Sequence, residues 1–280
     1  MRAGALPPGA CDCHVHVFGP SARYPFAADR AYTPPEASFR SYQRVMRDLG
    51  LARAVLVQPS VYGTDNRAML DALSQGGPNL RGVAVIGAPD DCGEDELAAL
   101  DAAGVRGVRM NTLFPGAEET GDPDELAARI APFGWHLQVL IDVAETTGLV
   151  KRLGSLPVAT VFDHLGHLPA ALGRDHPGFR DLLALLREGR SWVKLSAPYR
   201  LSARNVPPYD DVRPFAEAAL EAAPDRVVWG SDWPHPAIQG PRPRPATLLN
   251  PLFDWIDDAD LRRRVLVDNP ARLYGFASAA

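Results

Sequence analysis

Four short polar segments of this 280-residue chain bring together residue types that can form an active site. The segments are Asp12–His16, Asp163-His164, Lys194–Arg200 and Gly230–His235, and each adjoins an apolar run. Imidazoles grouped with a carboxylate can hold a metal ion or polarise a carbonyl group, and a carboxylate can take a proton from an attacking water. The four segments therefore indicate an enzyme.

The first segment contains two histidines two residues apart. In a β-strand, residues i and i+2 point the same way, so we expect His14 and His16 on one face with Asp12 below them. Two rings roughly 7 Å apart can both reach one metal ion or one carbonyl. The alternative is two core histidines satisfied by backbone carbonyls, but a pair beside a carboxylate favours function. Cys11 and Cys13 are expected on the opposite face, as packing residues.

Two further segments add a carboxylate and a third imidazole. Asp232 follows an apolar strand and can act as a general base, although an Asp in a Pro-containing turn can also be a plain cap or turn residue. His164 follows another strand, as a candidate ligand or carbonyl donor, and Asp163 can orient a neighbouring imidazole. We interpret Asp232 and His164 as catalytic, and His167 as a loop residue.

Two arginines are candidate contacts for an anionic substrate. Arg109 lies near the end of one predicted strand and Arg200 follows another. A guanidinium binds a carboxylate through two parallel hydrogen bonds, although a surface ion pair is the alternative for each arginine. Lys194 is expected within a strand, with a less certain role. Further candidate substrate contacts are Gln58, Tyr62, Tyr32 and His235.

Apolar strands and helices alternate along the whole chain. The predicted strands are residues 10–17, 54–58, 81–86, 107–110, 136–141, 158–162, 191–195 and 227–229. Strict alternation favours a parallel α/β sheet, and eight units favour a TIM (β/α)8 barrel, which typically needs about 250 residues. Active sites of such barrels lie at the carboxyl ends of the strands, where the polar segments fall. We expect a single domain over residues 1–280, with a helix that begins at Asp142, a helix over 260–267 and a short helix near 268–276.

Composition excludes several other classes of protein. The net charge of -5 and the isoelectric point near 5.8 argue against a surface for nucleic acid or anionic membrane. The sequence has no apolar run of about 18 residues that could span a membrane. Its three cysteines are an odd number and do not suggest a disulfide framework, and the first ten residues do not resemble a signal peptide. We expect a cytoplasmic enzyme.

As a set, the motifs resemble the amidohydrolase superfamily, in the branch of amidohydrolase-related family 2 that contains 2-pyrone-4,6-dicarboxylate lactonase. The matching segments are Cys11–Pro20, Gln58–Asn66, Arg106–Arg109, Asp163–Gly166, Trp229–His235 and Asn269–Tyr274. The resemblance implies a distorted (β/α)8 barrel that hydrolyses a lactone or a similar ester. It also implies a general base, three carbonyl-polarising imidazoles and two carboxylate-binding guanidiniums. By this resemblance the general base is Asp232, the imidazoles are those of His14, His16 and His164, and the guanidiniums are those of Arg109 and Arg200.

The resemblance also bears on the metal. Metal-dependent relatives add a histidine at the end of strand five, where this chain has Leu140-Ile141-Asp142. The dicarboxylate lactonase is understood to work without a metal, so we expect none to be required. His14, His16 and Asp232 with a water could still satisfy a catalytic zinc or manganese ion.

We expect a substrate other than that of the dicarboxylate lactonase. The lactonase pattern has an arginine in the loop after strand four and a tyrosine late in strand five, where this chain has Leu113–Gly116 and Leu140. A sugar-acid lactone, a muconolactone-type ring or another monocarboxylate lactone therefore fits better than the pyrone dicarboxylate.

Three other functions remain open at this point. They are a lactone isomerase on the same scaffold, a metal-dependent decarboxylase of an aromatic acid, and a barrel that binds a ligand without catalysis. We expect a small-molecule anionic lactone as the partner, and a monomer or small homo-oligomer.

Overall fold

Eight parallel strands form the sheet in the computed structural model, which describes residues 6–113, 121–204, 206–238 and 240–277. The strands are Cys11–Val15 (β1), Arg53–Val57 (β2), Leu80–Ala84 (β3), Val105–Asn111 (β4), His136–Leu140 (β5), Thr160–Phe162 (β6), Ser191–Ser196 (β7) and Val227–Gly230 (β8). Each strand pairs with the next one along the chain, from β1 to β8. The predicted TIM (β/α)8 barrel is confirmed.

Helices follow the strands and cover the outside of the sheet. They are Phe39–Leu49 (α1), Arg67–Gly76 (α2), Glu94–Ala102 (α3), Pro123–Ile130 (α4), Thr147–Gly154 (α5), Pro177–Arg187 (α6), Pro198–Leu201 (α7), Arg213–Ala222 (α8), Asn250–Trp255 (α9), Ala259–Arg263 (α10) and Asn269–Tyr274 (α11). Helix α1 shows why their limits fall where they do. Ser38 caps it by accepting from the Ser41 N–H, and Gly50 ends it in the left-handed conformation with φ of 75°.

The barrel closes irregularly, just past the end of β8. Between β1 and the segment after β8, the Asp232 N–H donates to the His14 carbonyl at 2.9 Å, and the His16 N–H donates to the Trp233 carbonyl at 2.8 Å. The backbone that closes the barrel is therefore the backbone that carries the candidate catalytic residues.

Two element limits differ from the sequence prediction for a local reason. Helix α5 begins at Thr147, not at Asp142, because the Asp142 carboxylate accepts from the Ala144 N–H at 2.8 Å and its carbonyl accepts from the Thr146 hydroxyl. These bonds build a turn that competes with the helix. The predicted helix 260–267 is split into α10 and a π-helical turn over Arg264–Asp268.

Cys11, Cys13 and Cys92 are free and buried. None of the helices within the described ranges is both long enough and apolar enough to cross a membrane.

Candidate active site

A bulge in β1 orients the first candidate segment. Asp12 is paired with Ala54 of β2, but the next regular pair is Val15 with Leu56, so β1 holds one extra residue there. His14 and His16 point into the barrel, and their Nε2 atoms lie 3.2 Å apart. The predicted convergence of the two imidazoles is confirmed.

The same bulge makes two of the orientation predictions wrong. The Asp12 carboxylate accepts from the Tyr42 hydroxyl on α1 at 2.9 Å and from the Ser231 N–H at 2.8 Å, so it does not lie below the imidazoles. Cys11 and Cys13 pack inside the barrel, in a cluster that includes Val55 and Val161. They are packing residues as expected, but on the inner face.

The turn after β8 places Asp232 against β1. Asp232 has φ of 58°, a left-handed conformation that is uncommon outside glycine and directs its side chain into the barrel. Gly230 lets β8 approach closely, because a Cβ atom there would lie 2.5 Å from the Cβ of His14. His164, with φ of 50°, is also left-handed. Such residues cost about 1–3 kcal/mol each and cluster at functional sites.

Three imidazoles surround one oxygen of Asp232. Its Oδ1 atom lies 3.6 Å from His14 Nε2, 3.5 Å from His16 Nε2 and 4.0 Å from His164 Nε2. All four side chains are buried. Within the described part of the chain, Oδ1 has no hydrogen-bond partner. The structure thus brings the four predicted catalytic residues together around one buried acceptor atom.

The other oxygen of Asp232 is held by two donors. Oδ2 accepts from the Tyr199 hydroxyl and from Arg200, whose Nη2 lies 2.9 Å away and whose Nε lies 3.1 Å away. Burial by itself would raise the pKa of Asp232, but Arg200 and the neighbouring imidazoles hold it well below its usual range. Asp232 is therefore ionised and oriented, with one oxygen still available.

The imidazoles are neutral at pH 7. Burial lowers the pKa of His14 to about 3, lowers that of His16, and lowers that of His164 well below its usual range. His16 Nδ1 lies 2.8 Å from the Val57 carbonyl, an acceptor that fixes the ring proton on Nδ1. His164 Nδ1 lies 2.7 Å from the Ser196 hydroxyl, which can donate to it and leave the ring proton on Nε2.

A buried charged group lies behind His14. Lys194 donates to Gln138 Oε1 at 2.6 Å, and its Nζ lies 3.4 Å from Asp163 Oδ1. Asp163 also accepts from Gln138 Nε2 at 3.0 Å. Burial alone would raise the pKa of Asp163, but Lys194 and His14 keep it well below its usual range. Burial lowers the pKa of Lys194, but Asp163 beside it opposes that shift, so the two form an ion pair inside the barrel, directly against a predicted catalytic imidazole.

The pocket in front of the imidazoles is lined by cationic, polar and apolar side chains. Besides the catalytic residues they are Tyr32, Ser60, Arg109, Leu140, His167, Arg200, Pro236 and Ala237. Arg109 donates to the Gln58 carbonyl at 3.2 Å. Both predicted guanidiniums therefore line the pocket that Asp232 faces.

Two predicted substrate contacts are engaged elsewhere, and a third, His235, is not among the residues that line this pocket. The Gln58 amide donates to the carbonyls of Gly63 and Asp65, so it holds the loop after β2. The Tyr62 hydroxyl accepts from the Gly19 N–H, and its ring lies in a separate cleft. His235 is buried with its ring 5.6 Å from that of Tyr199.

Several site residues had a weak signal in the sequence. Tyr199 directly precedes a predicted arginine contact, so its place after β7 was the available clue. His167 was interpreted as a loop residue, yet it lines the pocket at φ of 55°. Lys194 and Gln138 lie inside strand sequences, where their burial depends on the neighbouring strands. The predicted difference from the lactonase pattern at Phe114–Gly116, in the loop after β4, lies outside the described residues.

The donor atoms at the centre fit a small divalent cation. His14, His16 and Asp232 offer three ligand atoms within 4.8 Å of one another. Zinc–nitrogen bonds of about 2.0–2.1 Å in a tetrahedron place neighbouring ligand atoms roughly 3.3 Å apart. The observed separations of 3.2, 3.5 and 3.6 Å are close to that value.

Comparison with known proteins agrees with this fold. The chain belongs to the amidohydrolase family, whose sequence profile matches residues 11–276. A probable 2-pyrone-4,6-dicarboxylic acid hydrolase of Acinetobacter baumannii, solved with citric acid bound, superposes with a TM-score of 0.80. That structure is 28% identical, over 96% of this chain and all of its own length.

Three relatives with named activities share most of their length with this chain. The 2-pyrone-4,6-dicarboxylate hydrolase of Comamonas testosteroni is 39% identical, over 96% of this chain and 91% of the relative. The 4-sulfomuconolactone hydrolase of Hydrogenophaga intermedia is 37% identical, over 96% and 90%. The D-galactarolactone isomerase of Agrobacterium fabrum is 31% identical, over 96% and 92%.

Proposed function

We propose that this protein is a lactone hydrolase that opens the ester ring of a small anionic substrate by water attack. The observation that carries the proposal is the position of Asp232 Oδ1, which lies within 4.0 Å of three imidazoles in a pocket that two guanidiniums also line. The relatives named as hydrolases of 2-pyrone-4,6-dicarboxylate and of 4-sulfomuconolactone support it.

The reaction assigns different roles to the two oxygens of Asp232. Oδ1 takes the proton of the attacking water, while Oδ2 stays bound to Tyr199 and Arg200. His164 donates a hydrogen bond from Nε2 to the carbonyl oxygen and stabilises the oxyanion that forms there. When this intermediate collapses, the bond between the acyl carbon and the ring oxygen breaks, and the proton that Asp232 took from water passes to the leaving ring oxygen. His16 is less suited to donate, because its ring proton already binds the Val57 carbonyl.

The anionic part of the substrate lies against Arg200 and Arg109 in this proposal. Tyr32, Ser60 and His167 add polar groups to the same pocket, and Leu140 supplies an apolar wall. A muconolactone-type ring or another monocarboxylate lactone fits this lining, since the arginines can take the carboxylate and Leu140 can contact the ring.

Arg200→Met should weaken binding of anionic lactones and change the pH profile. Losing a charge-assisted hydrogen bond costs about 1.5–3 kcal/mol, so KM for an anionic lactone should rise about 10- to 100-fold. Arg200 also lowers the pKa of Asp232. Without it that pKa rises, so kcat/KM should begin to fall at a higher pH on acidification, because only ionised Asp232 accepts the proton.

The control is Arg204→Met, which removes an arginine whose side chain is 59% exposed. It should leave both KM and the acid limb of the profile unchanged. An equal rise in KM for neutral and anionic lactones in Arg200→Met would contradict the anion-binding role.

We propose that the reaction needs no metal. If an ion is bound, His14, His16 and Asp232 would hold it, and it would polarise the carbonyl or lower the pKa of a bound water. The proposal of a metal-free centre is supported by Leu140 in the pocket at the end of β5, and by the two cationic groups Lys194 and Arg200 near the donor atoms.

We expect purified protein to contain substoichiometric metal and to release protons from lactones equally well with and without a chelator. Elemental analysis beside a pH-indicator assay makes this measurement. One equivalent of zinc or manganese, with chelator-sensitive turnover, would contradict the metal-free proposal and assign the three residues as ligands.

Lactone isomerisation is the second candidate, because one relative is a D-galactarolactone isomerase. In that reaction a hydroxyl of the substrate replaces water as the nucleophile, and Asp232 takes its proton. The same proton-release assay separates the two reactions, since hydrolysis releases a carboxylic acid and isomerisation does not.

A further inference from the structure

Lys194 is a fully buried cation that the proposed reaction leaves without a role. The chain has 29 lysines and arginines, and only two of them, Lys151 and Lys194, are lysines. Lys151 is exposed, whereas Lys194 has no exposed surface and lies in the middle of β7. Burying an ammonium is costly unless it is paired and hydrogen-bonded, so its position needs an explanation.

The acceptors around Lys194 match the donors of an ammonium group. An ammonium has three N–H donors and no acceptor. Lys194 Nζ lies 2.6 Å from Gln138 Oε1, 3.2 Å from His14 Nδ1 and 3.4 Å from Asp163 Oδ1. For His14 Nδ1 to be an acceptor, it must carry a lone pair, not a proton.

The competing partner of His14 Nδ1 has poorer geometry. Asp163 Oδ1 also lies 3.2 Å from Nδ1, and it would accept a proton placed there. However, the contact between Lys194 Nζ and His14 Nδ1 has hydrogen-bond geometry, whereas the contact between Asp163 Oδ1 and Nδ1 is an ion-pair contact without that geometry. A proton on Nδ1 would also point two donors, the ring N–H and the ammonium, towards each other.

We propose that Lys194 fixes His14 in the neutral tautomer with its proton on Nε2, so that His14 donates to His16 Nε2. Lys194 is then a positioning residue, and the inference rests on the metal-free reaction proposed for this site. The 3.2 Å between the two Nε2 atoms fits a hydrogen bond, since the His16 ring proton is on Nδ1 and its Nε2 is an acceptor.

This tautomer has a consequence for metal binding. A histidine that binds a metal through Nε2 needs a lone pair there, and it usually donates its other ring proton to a carboxylate or carbonyl. Asp163 is in place to accept that proton from His14, but Lys194 occupies the same side of the ring. Lys194 therefore opposes metal binding at this centre and favours activation of the carbonyl by protons.

The tautomer of wild-type protein is the direct test. Long-range ¹H–¹⁵N spectra of histidine-labelled, metal-free protein distinguish a protonated from an unprotonated ring nitrogen, and His14→Asn assigns the signals. We expect His14 to show an unprotonated Nδ1 and a protonated Nε2. A protonated Nδ1 in the wild type would overturn the proposal, and this measurement does not require a Lys194 variant to fold.

Lys194→Met tests whether the lysine causes the tautomer. In this variant we expect the His14 proton to move to Nδ1, facing Asp163. Zinc affinity, measured by equilibrium dialysis on metal-free protein, should rise about 10- to 100-fold, the usual effect of an outer-shell partner. Lys151→Met should change neither quantity. A folded Lys194→Met variant with the wild-type tautomer, or with unchanged zinc affinity, would refute the inference.

The two proposals fail in different ways. If the purified wild type carries one equivalent of metal, the metal-free reaction is wrong, whatever the spectra show. If the wild type is metal-free and His14 is protonated on Nδ1, the reaction proposal stands and the role of Lys194 is wrong.

Discussion

Asp232→Asn should lower kcat about 10²- to 10⁴-fold, the usual contribution of a positioned general base. The amide keeps the shape of the carboxylate, and asparagine tolerates the left-handed backbone at this position. It can still accept from Tyr199 and Arg200 through its oxygen, but it cannot take a proton from water. The loss should therefore appear in kcat, measured by proton release from a saturating anionic lactone.

Asp71→Asn is the matched control. Asp71 also accepts from an arginine, with Arg23 Nη2 at 2.5 Å, but it lies on the surface with 41% of its side chain exposed. Its substitution should leave kcat unchanged. Near-normal turnover by Asp232→Asn, with an unchanged circular dichroism spectrum, would remove Asp232 from the role of base.

Much of the barrel could be predicted from the sequence, because its signal is repeated. Each apolar run that ends in polar residues predicts a strand whose carboxyl end faces the pocket. Eight strands in alternation with helices predict a barrel, and the strand ends then place His14, His16, His164 and Asp232 near one another without any knowledge of side-chain contacts. Sequence sufficed for residues whose position follows from the strand that carries them.

The orientation of Asp12 could not be predicted from the strand pattern. Alternation of polar and apolar residues would have indicated the inner face of β1, but all five residues of this strand are buried. The pattern therefore gave no sign of the bulge, and one extra residue is enough to reverse the expected face. A carboxylate that belongs with the imidazoles in an ideal strand instead binds Tyr42 on α1.

The positions of Tyr199 and Lys194 in the site depend on longer-range geometry. Tyr199 reaches Asp232 because Ala197 is left-handed, with φ of 46°, and turns the chain into the short helix α7. Alanine is an unusual residue for that conformation, so the sequence gave no hint of the turn. Lys194 is buried because strands β5 and β6 bring Gln138 and Asp163 against it, and that register is not visible in any single strand.

Asp163→Asn should destabilise the protein by about 3–5 kcal/mol, the cost of leaving one charge of a buried pair without its partner. The amide preserves the volume of the side chain, so the loss reports on charge and not on a cavity. Lys194 would then remain in the barrel with only the neutral partners Gln138 and His14. Urea unfolding, followed by fluorescence, measures the change as a lower midpoint.

The double variant Asp163→Asn/Lys194→Met separates charge from packing. Replacing both members of a buried pair by groups of similar volume can be nearly neutral, so the double variant should be more stable than Asp163→Asn alone. Asp122→Asn is the surface control, because Asp122 pairs with Arg152 in solvent and asparagine caps α4 as well as aspartate does. If the double variant were less stable than Asp163→Asn by the full cost of Lys194→Met, the two residues would not be coupled. In that case Asp163 would not be the group that stabilises the charge of Lys194 inside the barrel.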